Sequence, residues 1–128
     1  MVKDFPEQYD NYTSIVAAIT MATGDYELVR QAYYNRNYGM KWILSLKQAD
    51  RIISTLLEIT DSADFKSPYR PKLLEELDKL EERCEDAIIC SQGTFQFFSR
   101  EDKCLYGPLK SDNVEISHIW FVKPKENN

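Results

Sequence analysis

The sequence predicts an α+β protein: about four N-terminal helices packed on a small C-terminal antiparallel β-sheet. Three observations lead there. Up to about Cys90, apolar residues recur at spacings of three and four, the period of a helix with one buried face. Beyond it, TFQFFS and VEISHIWFV alternate as strands do. The breakers Gly24, Gly39, Pro68 and Pro71 fall between the periodic stretches. A chain of 128 residues, 43% hydrophobic and 29% charged, fits one domain with a core of its own. The helical part is expected over about 6–90 and the β part over about 94–123.

The first helix is expected over 6–23. Pro6 suits a first helical position, Tyr9, Tyr12, Val16 and Ile19 give the inner stripe, and Gly24 is placed to end it. Asp25 reads as the cap of a second helix with Leu28, Val29, Ala32 and Tyr33 inside and Gly39 closing it. The third and central helix is expected from Met40 to Thr60, its stripe being Trp42, Leu46, Ala49, Ile53 and Leu56. Residues 61–71 read as an ordered loop in which Phe65 and Tyr69 pack, because a residue before proline is driven away from helix. Pro71 opens a fourth helix running to Ile89. Its stripe of Leu73, Leu77, Leu80, Cys84 and Ala87 predicts antiparallel packing on the third. Three strands follow: TFQFFS, Cys104–Tyr106 and Val114–Val122. The last turns apolar on both faces near its end, so it is expected to be covered on both sides or to pair with a second copy.

Composition narrows the function classes. The first ten residues lack the apolar core of a signal peptide, and no apolar run reaches the roughly 20 residues that span a bilayer. A cytoplasmic protein without a membrane partner is expected, and three cysteines at no paired spacing fit a reducing compartment. A net charge of −5 argues against broad binding to nucleic acid. The charge is uneven: Arg30, Arg36, Lys41, Lys47 and Arg51 outweigh two acids over 26–51, whereas ten acids outweigh five bases over 58–86.

Motifs for chemistry are sparse. His118 is the sole histidine and sits among Ile116, Ile119 and Trp120, where a packed imidazole is the ordinary reading. Cys84, Cys90, Cys104 and His118 offer four metal ligands, yet none of them forms the tight pair that a closed zinc site uses. Isolated glycines exclude a phosphate-cradling loop. No cofactor is expected.

Two runs suit binding. Arg30, Tyr33, Tyr34, Arg36 and Tyr38 interleave aromatics with cations, a pattern for stacking a base or anchoring a protein contact. Glu81, Glu82 and Glu85 belong to an acidic outer face of the fourth helix. The leading expectation is a non-catalytic interaction protein, a small inhibitor or regulator of a larger basic partner such as a nucleic-acid-processing one. A virus-encoded anti-defence role falls within that class. The alternatives are a protein that sequesters a nucleotide or other small ligand, and a small hydrolase or transferase using His118 with a carboxylate or Cys104.

Overall fold

The computed structural model describes residues 2–3, 14–35, 45–107 and 114–125. Ten elements follow in the order β1 (Val2–Lys3), α1 (Ser14–Thr23), α2 (Tyr26–Asn35), α3 (Leu46–Leu56), β2 (Leu57–Asp64), α4 (Leu73–Arg83), β3 (Asp86–Ser91), β4 (Thr94–Ser99), β5 (Cys104–Tyr106) and β6 (His118–Pro124). The strands form one sheet in the order β1-β5-β4-β3-β6-β2, antiparallel except for the short β1–β5 pair. The chain is α+β, as its periodicities imply, but helices precede strands only roughly.

Local chemistry sets the helix ends. Gly24, at φ +77°, ends α1 by donating its N–H to the Thr20 carbonyl at 2.7 Å. Asp25 caps α2 by accepting the Leu28 N–H at 3.1 Å. Ser45 and Gln48 form a reciprocal capping box at the start of α3. Part of the expected first helix and the opening of the expected third, Met40 to Leu44 with Trp42, lie outside the described residues.

Two expected helices are shorter than their apolar stripes imply, and each turns into a strand. The third stops at Leu56, and Leu57–Asp64 becomes β2, paired with β6 from Leu57↔Pro124 to Asp64↔His118. The fourth stops at Arg83. Cys84, expected in its buried stripe, is an exposed left-handed cap at φ +58°. The run Ala87-Ile88-Ile89-Cys90 is then a strand buried on both faces. Gln92 and Gly93, both at positive φ, make the two-residue turn into β4 that antiparallel strands favour.

The sheet is packed on both sides. Ile15, Ile19, Val29, Tyr33, Ile52 and Ile53 of α1–α3 join Ile88, Phe95, Phe97, Trp120 and Val122 on one face. Leu73 and Leu80 of α4 join Ala87, Ile89, Phe98, Leu105, Ile119 and Phe121 on the other. So α3 and α4 are separated by the sheet and do not pack on each other. Leu28 and Leu46, expected inside, are exposed, as is Tyr69 of the loop; Phe65 packs against the second cluster. Alternation in the last strand begins at His118. Val114 and Ile116 precede it and pack on the α4 side, with Glu115 bridged to Lys72. Because β6 lies between β3 and β2 with both faces covered, it offers no edge to a second copy. Among the described residues no helix is long and apolar enough to cross a membrane.

Candidate functional site

The expected binding residues separate into core, surface and undescribed positions. Arg30 is exposed on α2, within 3.6 Å of Glu27. Tyr33 is only 3% exposed and belongs to the core, so it is removed from any ligand surface. The side chain of Tyr34, together with Arg36 and Tyr38, lies outside the described residues. Glu81 and Glu82 are exposed on α4 as expected. Glu85 lies past the end of α4, half-buried and already engaged.

Those engagements form a clamp. Thr60 Oγ1 donates to Glu85 Oε1 at 2.7 Å, and Arg83 Nε donates to Glu85 Oε2 at 2.6 Å. Arg83 Nη2 reaches Asp61 Oδ2 at 2.8 Å, and its guanidinium lies 3.7 Å over the Phe121 ring. The Thr60 hydrogen bond, aided by Arg83, holds the Glu85 carboxyl below its usual range, and Arg83 does the same to Asp61. The clamp ties the end of α4 to β2.

Beside it a groove of about 230 Å³ opens between α4 and β2. Ala63, Phe65, Leu80, Ile119 and Phe121 give it an apolar floor, and Glu76, Lys79 and Arg83 its rim. These residues come from β2, the loop just after it, α4 and β6, and span Ala63 to Phe121, so no local pattern could have revealed the groove.

The outward side of α4 is acidic. Leu73, Leu77 and Leu80 face the sheet, which turns Glu75, Asp78 and Glu82 furthest from it, with Leu74 and Glu81 on one flank. Glu75 caps its own helix by accepting the Lys72 N–H, and Glu76 pairs with Lys79 at 3.4 Å. Leu74 is 54% exposed, and Tyr69, just before the helix, is 85% exposed.

His118 has its Nδ1 3.3 Å from Asp64 Oδ1 and its ring centroid 4.3 Å from that of Trp120. The Trp120 indole N–H is anchored on Asp50 Oδ1 at 3.2 Å. Strand register sets Cys90, not the expected Cys104, directly across from His118. Cys104 pairs with Ser99 on the far side of β4. Burial pushes the Cys90 thiol up, against hydrogen bonds from Ser117 and the Gly93 backbone, so it stays protonated rather than nucleophilic. Cys84 and Cys90, expected on one helix, lie on a helix cap and a strand. Among the described residues no three His, Cys, Asp or Glu side chains are grouped to hold a metal.

Comparison with protein-family models, with curated proteins and with solved structures finds no match.

Proposed function

We propose that this chain is a non-catalytic interaction protein, a small inhibitor or regulator of a larger partner with a basic docking surface, such as one that handles nucleic acid. The outward face of α4 carries the reading. Asp78, Glu81 and Glu82 are exposed there, and none is paired with a cation among the described residues. Carboxylates three and four residues apart repel one another, by a few tenths of a kcal/mol per pair. An opposing positive surface removes that repulsion and speeds encounter. Leu74 and Tyr69 add to the contact beside the expected anchors Tyr34, Arg36 and Tyr38, since exposed apolar and aromatic groups beside a charged surface supply contact area that charge alone does not.

The test is capture of proteins from the native cell on the immobilised chain, with D78K/E81K/E82K as comparison. A partner retained by the wild type, released by salt and lost by the triple variant supports the reading. Retention that ignores the charge reversal sinks it.

A hydrolase or transferase built on His118 is the second reading, favoured by the Asp64 carboxylate at its Nδ1. Under it, His118→Ala abolishes turnover of an ester or phosphoester substrate panel. Under the first reading the same change leaves partner capture intact and only lowers stability.

A further inference from the structure

Strand β2 ends the sheet, and among the described residues no strand pairs with its outer side. Such an edge leaves alternate N–H and C=O groups free to take another chain. Two local features show how this edge is managed. The register shifts between Ile59 and Asp61, a bulge that leaves Asp61–Asp64 as the regular stretch. Within it, the Ser62 N–H is taken by the preceding side chain, Asp61 Oδ1, at 2.8 Å. That acceptor is exposed and exchangeable, unlike a ladder partner. The groove described above opens against this same stretch, because Ala63 is both its lining residue and the register partner of Ile119.

We infer that an extended segment of the partner adds as a strand to the outer edge of β2 along Asp61–Asp64 and sets one apolar side chain into the groove over Phe65, Ile119 and Phe121. The inference rests on the proposed interaction role and specifies its mode. Four residues of strand are about 13 Å long. In this mode main-chain hydrogen bonds give affinity, and a pocket for one alternate side chain gives selectivity. Charge fits the occupant to a basic segment. Over the edge stretch, the rim and the clamp, four carboxylates (Asp61, Asp64, Glu76 and Glu85) stand against two cations, Lys79, held by Glu76, and Arg83, held by Asp61 and Glu85. An incoming lysine or arginine next to the apolar residue therefore meets a local excess of negative charge. A volume of about 230 Å³ admits one leucine- or phenylalanine-sized side chain.

The probe is a capped heptapeptide of alternating lysine and leucine, titrated into the full chain while its backbone amides are followed by NMR. A peptide of equal composition with contiguous leucines is the control. The expected result is binding of the alternating peptide at least tenfold tighter, with amide shifts centred on Ser62, Ala63 and Asp64 and on Phe65 and Phe121. Ala63→Phe fills the groove and should weaken binding tenfold or more. Ser62→Pro removes the edge donor, at a position where an edge strand tolerates proline, and should do the same. Shifts confined to Glu75, Asp78 and Glu82, or equal binding of the two peptides, would overturn strand addition while leaving a basic partner in place. Absence of binding to either peptide would overturn it as well. Loss of salt-dependent partner capture, by contrast, bears on the interaction role itself.

Discussion

Gly107 offers the sharpest test of the packing. A Cβ built there would lie 2.5 Å from Gln96 Cγ and 3.0 Å from both Gln96 Cβ and Oε1. Real contacts of that kind do not fall below about 3.4 Å without neighbours moving, and Gln96 has nowhere to go. It is wholly buried in the middle of β4, between β3 and β5. Gly107→Ala should therefore cost about 1–3 kcal/mol, the range for forcing one methyl into a filled core. The loss of backbone freedom in the unfolded chain returns only about 0.4–1 kcal/mol. Urea unfolding should show a lower midpoint at unchanged slope, since the surface exposed on unfolding stays the same. The decisive arm is a double-mutant cycle with Gln96→Ala. Gln96→Ala removes the 2.5 Å Cγ contact and the Oε1 contact and leaves only the 3.0 Å contact with Cβ of these three, so Gly107→Ala in that background should cost less by about 1–2 kcal/mol. Two results would refute the reasoning: a neutral Gly107→Ala, or a cost that is the same with and without Gln96.

Three further outcomes follow from other contacts. Asp61 and Glu85 are held below their ordinary carboxyl values in the folded chain, so the stability they supply is present above the unfolded values near 3.8 and 4.5. It is lost as pH falls through the folded values. Unfolding midpoints between pH 3 and 6 should therefore drop less steeply in Arg83→Met than in the wild type, the difference being small because the groups are exposed and screened. Ser45→Ala breaks the α3 capping box and should cost about 1 kcal/mol, measurable as a lower melting temperature. A disulfide thiol reagent should modify exposed Cys84 at once, whereas Cys90, buried with its thiol pushed up, should react only on unfolding. Equal rates would contradict its burial.

What the sequence by itself determined is local. Gly24 stops a helix because a left-handed residue is needed there, and Asp25 starts the next because its carboxylate takes an N–H three residues on. TFQFFS and Cys104–Tyr106 read as strands within their own few residues, and Glu81 and Glu82 read as surface. Tertiary structure decided everything that depends on pairing across the chain. Leu57 and Ile59 extend the stripe of α3 as well as they alternate in a strand. Their ladder partners Pro124 and Val122, more than sixty residues away, tip the balance. The run from Ala87 to Cys90 is equally apolar in either geometry, and becomes a strand because β4 and β6 flank it on both sides. Tyr33 is core rather than contact because α2 packs on α1 and α3 and places it in the cluster over one face of the sheet. The clamp on Arg83, the groove over Phe121 and the free edge of β2 join residues that only the folded sheet makes neighbours. Hydrogen-bond ladders and apolar burial between distant segments are what local spacing does not encode.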